Sequence, residues 1–470
     1  MFDNTYARLP ERFFTRVKPS TVPGARLLAW NQELAADLLL EELPEDGQQL
    51  AQIFSGNEMP AGAEPIALAY AGHQFGQFVP QLGDGRAALL GEVIARDQQR
   101  IDIQLKGSGQ TPFSRRGDGK SSLGPVIREY LVSEAMHHLG VPTTRALAAV
   151  ATGETVYRET PLPGGVFTRV ASSHIRIGTF EYFAARGDTD ALRTLVDYAI
   201  RRHYPDIQGK EQPSLTFFTS VLERQAALVA HWMDIGFIHG VMNTDNTSIS
   251  GETMDYGPCA FMDEFRFNKV FSSIDHGGRY AYANQAPIAQ WNLARLAECL
   301  LLLGGDQREF KEELSRFTSL FEVHYSARMR RKLGLTTEES GDADLVRKWL
   351  EYLQANELDY TESFRKLAAR IAAEGPREFG GFEAEWQQRI RNQPEDTPRL
   401  KALMDSVNPL FIPRNHQIER AIRQALEGDF TVFRELTEVV TKPFEQQPNR
   451  AQYAQPPTPD KRVLQTFCGT

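Results

Sequence analysis

Oxygen-bearing side chains are concentrated in one short stretch, residues 237–257, which follows a long amphipathic segment. Asp245 and Asn246 are adjacent, and Asp255 comes nine positions after Asn246 with an aromatic residue and a glycine directly behind it. Carboxylate and amide oxygens are the ligands that a hard divalent cation prefers. A short apolar run at Ile249 and the turn after it predict a small hairpin between two loops. The stretch is therefore a candidate site for a hard divalent cation.

The order of these residues is that of the metal-binding half of a protein-kinase site, where an Asn ligand precedes an Asp-aromatic-Gly loop. His239 lies seven positions before Asn246, as the His of the kinase catalytic loop does. Two positions after that His, where a kinase has its catalytic Asp, this chain has Val241. Asp245 is the carboxylate of the loop that could replace it, which makes Asp245 the candidate general base.

A lysine and a glutamate precede this stretch in the order that a kinase uses. The alternating pattern of residues 100–106 predicts a strand that ends with Lys106 on its polar face. A helix predicted over 121–140, with a serine cap and a closing glycine, carries Glu129, 23 positions after Lys106. Either residue alone is more often an ordinary surface group. Their order with the candidate metal ligands favours a pair that holds a nucleotide phosphate.

Two further groups of residues are suited to binding phosphate. Gly83 and Gly85 would let backbone N–H groups approach a phosphate, and Arg86 adds a cation beside them, although an ordinary hairpin turn is the alternative. Arg169 and Arg176 are seven residues apart. They could form surface salt bridges or hold one phosphate from two sides.

Short strands dominate from about residue 64 to residue 172, and helical periodicity follows from about residue 181. The pattern predicts an α+β, protein-kinase-like bilobal fold. Residues 1–180 would form a wrapping segment and a β-rich N-lobe, and residues 181–375 a helical C-lobe. Residues 376–470 would add a helical extension with a polar tail.

The pattern also predicts particular elements. We expect an N-terminal helix over 31–42 and a long helix over 214–235 that delivers the chain to the candidate site. The Gln- and Pro-rich segment 446–459 is expected to be extended or mobile.

Composition narrows the possible partners and compartments. The net charge of −9 argues against a nucleic-acid partner, which requires a basic surface. No stretch approaches the ~20 apolar residues of a membrane span, and the first residues lack the apolar core of a signal peptide. The three cysteines, Cys259, Cys299 and Cys468, have no Cys-x-x-Cys spacing, so neither a zinc site nor a disulfide framework is indicated. We expect a cytoplasmic enzyme without a membrane partner.

Four long strings together resemble the selenoprotein O family, the YdiU-type proteins of bacteria, which are pseudokinases that act as protein adenylyltransferases. They are residues 81–86, 104–118, 239–246 and 255–261. The resemblance spans nearly the whole chain.

The resemblance implies a kinase-like fold that binds ATP in a flipped orientation. AMP would be transferred to Ser, Thr or Tyr hydroxyls of proteins, with release of pyrophosphate and with Mg²⁺ or Mn²⁺ as cofactor. It places the base on Asp245 and the metal ligands on Asn246 and Asp255. The nucleotide contacts fall on Gly83, Gly85, Arg86, Lys106, Asp118, Gly119, Arg169 and Arg176.

Cys468 occupies the place where some members of that family carry selenocysteine, which implies a possible redox partner; a plain thiol on a polar tail is the alternative. Two other functions stay open at this point. A divergent kinase would transfer the γ-phosphoryl group, against which Val241 and the arginine pair count. A non-catalytic ATP-binding scaffold would not need both candidate metal ligands.

Overall fold

The structure is a computed structural model that describes residues 2–373 and 375–467. Strands dominate its N-terminal part and helices its C-terminal part. In chain order the strands are β1 (Phe14–Arg16), β2 (Arg26–Trp30), β3 (Ile66–Leu68), β4 (Gly72–Gln74), β5 (Gln77–Val79), β6 (Ala87–Ile94), β7 (Arg100–Lys106), β8 (Ser121–Ser122), β9 (Arg145–Tyr157), β10 (Pro161–Ala171), β11 (Phe237–Ile238) and β12 (Ala260–Phe261).

The first three α-helices belong to the N-terminal part. The α-helices are α1 (Gln32–Asp37), α2 (Gly47–Ser55), α3 (Leu123–His138), α4 (Ile177–Ala184), α5 (Thr189–His203), α6 (Pro213–Asp234), α7 (Gln285–Leu301), α8 (Gln307–Lys332), α9 (Asp342–Ala355), α10 (Tyr360–Ala369), α11 (Gly380–Ile390), α12 (Thr397–Val407), α13 (Asn415–Leu426) and α14 (Thr431–Val440). The predicted kinase-like α+β architecture is confirmed.

The main sheet is antiparallel, with the strand order β1-β3-β6-β7-β10-β9-β2 and the short β8 beside β10. The central strand β7 alternates as predicted. Ile103 and Leu105 pack into a core shared with α1 and α2, while Asp102, Gln104 and Lys106 share the other face. That polar face is also buried, since none of the three residues exceeds 8% exposure. Its groups therefore need partners inside the protein.

Helix α3 packs on the sheet and presents almost all of its length to the interior. It ends before Gly140, whose φ of +82° is a left-handed conformation that favours glycine. Ser122 occupies the N-cap position, but its side chain makes no capping hydrogen bond, so the predicted serine cap is wrong in that respect. The serines instead form β8, which pairs with β10.

The predicted N-terminal helix is shorter than expected. Asn31 caps α1 by accepting a hydrogen bond from the backbone N–H of Leu34. The helix ends at Asp37, because Leu39 adopts a φ of +54°, which an α-helix cannot contain.

The long helix α6 is confirmed, and β11 and β12 bracket the stretch that carries the candidate metal ligands. The small hairpin predicted around Ile249 is wrong. Its backbone pairs with distant segments instead: Ile249 N–H donates to Ile175 O at 3.2 Å, and Thr253 N–H donates to Pro142 O at 2.9 Å. These tertiary hydrogen bonds replace the local ladder.

The C-terminal helices return to the N-terminal part. Helices α13 and α14 pack on α3, where the rings of Tyr130 and Phe433 lie 5.6 Å apart, edge to face. Segment 446–459 is not extended as predicted. It contains a 3₁₀ helix over Pro448–Tyr453, and Tyr453 at the end of that helix is fully buried and donates its hydroxyl to Glu435. Within the described residues, no helix has both the length and the apolar character needed to cross a bilayer.

Candidate functional site

A cavity of about 790 Å³ lies between the sheet and the loop that follows β11. With one exception, the predicted site residues line it. They are Gly83, Gly85, Arg86, Lys106, Asp118, Gly119, Glu129, Arg169, Asp245, Asn246 and Asp255. The exception is Arg176, which is 1% exposed.

The lysine and the glutamate meet at the inner end of this cavity. Lys106 ends β7 and Glu129 lies in the second turn of α3, with 2.6 Å between Lys106 Nζ and Glu129 Oε1. Lys106 Nζ also lies 2.5 Å from Asp255 Oδ1. Both residues of the first pair are buried, so neither is the surface group of the alternative interpretation. Removing one partner of such a buried pair leaves an uncompensated charge.

Asp255 sits where these cations converge. Arg169 Nη1 lies 3.0 Å from the same Oδ1 that contacts Lys106. Burial alone would raise the pKa of Asp255, but Lys106, Arg169 and Arg176 hold it well below its usual value. The backbone of Asp255 has a φ of +64°, a strained conformation for a residue other than glycine. The surrounding contacts therefore hold Asp255 as an anion in one orientation.

The two arginines are buried rather than on the surface. Arg169 is 3% exposed and donates from Nε to Gln104 Oε1 at 2.7 Å. Arg176, the N-cap residue of α4, donates from Nη1 to Asp245 O at 3.2 Å, and its guanidinium lies 4.2 Å from the centre of the Tyr70 ring. The alternative interpretation, in which this pair forms surface salt bridges, is therefore wrong.

The glycine segment is not an ordinary hairpin turn, because β5 pairs with β4 whereas β6 pairs with β3 and β7. Its glycines are required by close packing. A Cβ at Gly83, whose φ is +73°, would lie 2.2 Å from the Phe113 ring, and one at Gly85 would lie 2.8 Å from Phe113 O. Gly83, Asp84 and Gly85 all line the cavity, between these closely packed neighbours.

Asp118 lies near the exposed rim. Its carboxylate accepts from both Nη atoms of Arg158, at 2.9 and 3.1 Å, and this pairing lowers its pKa. Gly119 follows with a φ of +67° and packs against Gly109 O, so a side chain would not fit there.

Asp245 lies in a 3₁₀ turn, Thr244–Asn246, at the cavity wall. Its Oδ2 accepts from Gln74 Nε2 at 3.2 Å, whereas Oδ1 is buried without a hydrogen-bond partner among the described residues. Burial raises the pKa of Asp245 to about 7. A buried carboxylate with one unused oxygen is able to accept a proton near neutral pH.

Sequence reasoning missed the element that holds this loop. The hairpin of β4 and β5 stands apart from the main sheet and contacts the loop along its edge. His73 N–H donates to Thr244 Oγ1 at 2.7 Å, and Phe75 N–H donates to Asn243 Oδ1 at 3.1 Å. The string Gly-His-Gln-Phe-Gly at 72–76 was the available signal, but nothing in its pattern indicates a distant partner.

Asn246 and Asp255 present oxygens that suit a hard cation. Asn246 Nδ2 donates to Val241 O at 3.1 Å, which leaves its Oδ1 as the atom for a metal. On Asp255, Oδ1 contacts the cations, which leaves Oδ2. No group of three or more His, Cys, Asp or Glu side chains in the described part of the chain could form a metal cage. The donor set fits Mg²⁺ or Mn²⁺ completed by phosphate oxygens and water.

His239 has a structural role. Its Nε2 donates to Met254 O at 2.9 Å, and it is 1% exposed. It thereby ties the start of the loop to the residue before Asp255. Cys259 and Cys299 are both buried, and Cys468 lies outside the described residues.

The architecture and the Lys–Glu–Asn–Asp set define a protein of the kinase-like class. A family model described as "Protein adenylyltransferase SelO" matches residues 1–441. Proteins named "Protein nucleotidyltransferase YdiU" from Bradyrhizobium diazoefficiens and Agrobacterium fabrum are 55% and 56% identical to it, over 100% of this chain and 99% of each relative. The relative of the same name from Rhizobium meliloti is 55% identical over the same shares. The chain belongs to the SelO family and is a nucleotidyltransferase.

Proposed function

We propose that this protein transfers AMP from ATP to hydroxyl groups of other proteins, with the triphosphate bound at the inner end of the cavity. The observation that carries the proposal is the burial of cations there: Lys106 and Arg169 line that end at 8% and 3% exposure, and Arg176, at 1% exposure, lies behind the lining residues Tyr70 and Asp84. Buried lysine and arginine groups with N–H donors suit a phosphate chain far better than an adenine ring. Family membership supports the same reaction class.

In this orientation the nucleoside lies towards the rim, where Tyr157 and Ile274 are 74% and 54% exposed. The β- and γ-phosphates lie near the arginines, and the α-phosphorus faces the loop that carries Asp245. A kinase requires the opposite arrangement. Val241, which stands where a kinase has its base, is buried and apolar and offers no proton acceptor.

The reaction then uses the residues as follows. Asp245 accepts the proton of a Ser, Thr or Tyr hydroxyl, whose oxygen forms a bond to the α-phosphorus. The bond from the α-phosphorus to the bridging oxygen breaks, and pyrophosphate leaves with its electron pair. Lys106 and the two arginines stabilise the charge that develops on it. Asn246 and Asp255 would hold Mg²⁺ or Mn²⁺, which when bound supplies further charge stabilisation.

Product analysis tests the proposal. Purified protein is incubated with ATP, Mg²⁺ or Mn²⁺ and a mixture of protein acceptors, and the nucleotide products are separated. We expect pyrophosphate to appear with protein-bound AMP, whereas ADP with phosphoprotein would show a kinase. Asp245→Asn should lower the rate about 100-fold or more, because the base is lost while the shape is kept.

Asp234→Asn is the matched control for that variant. Asp234 is another buried aspartate whose pKa is raised by burial, to about 6, but it lies on α6 outside the cavity. It should leave the rate within about 2-fold of the wild type. Equal losses in the two variants would mean that Asp245 acts only through stability.

A further inference from the structure

One buried carboxylate at the inner end has no role in the chemistry above. Asp84 lies between Gly83 and Gly85 and is 2% exposed. Two hydrogen bonds with Leu68 fix it: Asp84 N–H donates to Leu68 O at 3.0 Å, and Leu68 N–H donates to the side-chain oxygen Asp84 Oδ2 at 3.1 Å. Among the described residues, Asp84 Oδ1 has no hydrogen-bond partner. A buried carboxylate with a free oxygen requires an explanation.

The free oxygen faces one of the phosphate-site arginines. Asp84 Oδ1 lies 3.9 Å from Arg176 Nη2, which also has no hydrogen-bond partner in the described part of the chain. This distance is too long for a hydrogen bond but close enough for strong attraction in a buried place. Arg176 is held by the hydrogen bonds of its Nε and Nη1 to backbone carbonyls and by this attraction, while Nη2 keeps its donor capacity for a ligand.

The other oxygen of Asp84 connects to the second arginine through Gln104. Gln104 Nε2 donates to Asp84 Oδ2 at 3.0 Å, and Gln104 Oε1 accepts from Arg169 Nε at 2.7 Å. Gln104 is fully buried on β7, two residues before Lys106. Because both ends of its amide are used, the amide has one orientation, and so does the Arg169 guanidinium.

We propose that Asp84 and Gln104 are positioning residues, which orient Arg169 and Arg176 to receive the β- and γ-phosphates of ATP. This inference rests on the proposed function. An arginine side chain has several rotatable bonds, so an arginine that is not fixed in place loses conformational freedom when it binds a phosphate. Asp84 and Gln104, called here the Asp84–Gln104 relay, fix the donors of the two arginines before the nucleotide arrives, which lowers that cost.

The role predicts a specific pattern of binding. AMP has no β- or γ-phosphate, so its affinity should not depend on the relay, whereas ATP affinity should. A purely structural role would weaken both nucleotides together. The ratio of ATP to AMP affinity therefore separates the two explanations.

The test is calorimetric titration of the full chain with ATP and with AMP, each with Mg²⁺, accompanied by a thermal unfolding midpoint. Gln104→Leu removes both hydrogen bonds of the amide and should weaken ATP binding about 10-fold while AMP binding stays within about 2-fold. Asp84→Asn retains an acceptor for Gln104 and Leu68 but removes the charge facing Arg176. It should shift the ratio in the same direction.

Gln225→Leu is the matched control. Gln225 is likewise a buried glutamine, 2% exposed, and its side chain donates to Ser248 O at 2.7 Å rather than to Asp84 or to either guanidinium. It should leave the ratio unchanged. An unchanged ratio in Gln104→Leu, or tighter ATP binding in Asp84→Asn, would overturn the inference.

Nucleotide binding by the wild-type protein distinguishes failure of the positioning role from failure of the proposed function. If wild-type protein binds ATP no more tightly than AMP, the inner cations do not hold the phosphate tail and the proposed orientation is wrong. If it binds ATP more tightly and the relay variants keep that preference, only the positioning role is wrong.

Discussion

Residues from outside its own loop hold Asp245 in position. Gln74 donates to its carboxylate, and Arg176 donates to its backbone carbonyl. Its candidacy as the base was predictable from the sequence, since Asp245 directly precedes Asn246, whose spacing from His239 is that of a kinase loop, and Val241 stands where a kinase has its base. The contact with Gln74 was not predictable, because the two residues are 171 positions apart and no periodic pattern links them.

The close packing of Gly72 against Asp245 leads to a first prediction, which concerns single residues. A Cβ at Gly72 would lie 2.6 Å from Asp245 Oδ1 and 2.9 Å from Asp245 Cβ, so Gly72→Ala must displace the base. We expect a loss of AMP transfer of about 10-fold or more, because general-base catalysis requires the base within hydrogen-bond reach of the hydroxyl. Initial rates at saturating ATP measure this effect.

Gly277→Ala is the control, since nothing lies within 4 Å of a Cβ placed there. Its rate should match that of the wild type. Full activity in Gly72→Ala would show that the hairpin moves freely and that the close contact does not constrain Asp245.

At the scale of elements, helix α3 carries Glu129 and is packed from two sides. The sheet lies against one side, and α13 and α14 of the C-terminal extension lie against another. The sequence predicted α3 and α6 because their apolar positions recur with helical spacing. It did not predict α14 or its packing on α3, since contacts between segments some 300 residues apart leave no local pattern. The hairpin predicted around Ile249 failed for the same reason, because its partners are Ile175 and Pro142.

Packing between α14 and α3 leads to a second prediction. Phe433 is 1% exposed and contacts the Tyr130 ring. Phe433→Ala should lower the free energy of unfolding by about 3–5 kcal/mol, through lost burial and the cavity left behind. Urea titration followed by circular dichroism measures it.

Val323→Ala supplies the comparison, because Val323 is 66% exposed on α8. Its unfolding free energy should stay within about 0.5 kcal/mol of the wild type. A similarly small change in Phe433→Ala would contradict the view that the extension supports α3.

At the scale of the whole molecule, several histidines are buried as neutral groups. Burial lowers the pKa of His174 to about 4 and that of His231 to about 3, and it holds the pKa of His203 well below its usual value. In the unfolded chain a histidine has a pKa near 6.5. The unfolded state therefore binds more protons below that value, so the stability these groups contribute is present above pH ~6.5 and is lost as the pH falls towards 4.

His231 tests this directly, since it is 6% exposed and lies on α6 outside the cavity. In His231→Phe one of the buried titrating groups is gone. The decrease in unfolding free energy from pH 7 to pH 5 should be smaller than in the wild type by about 2 kcal/mol. The exposed His276, replaced by Gln, serves as control, and equal decreases in wild type and His231→Phe would contradict the prediction.

The central claim concerns which phosphorus of ATP reaches the acceptor hydroxyl. The most direct measurement uses ATP labelled at either the α- or the γ-phosphorus, with the protein products followed by denaturing gel and intact mass. Adenylyl transfer predicts label from the α-phosphorus on protein, a mass gain of one AMP, and its loss in Asp245→Asn. Label from the γ-phosphorus alone would show that the phosphate tail points towards Asp245, as in a kinase, and would contradict the claim.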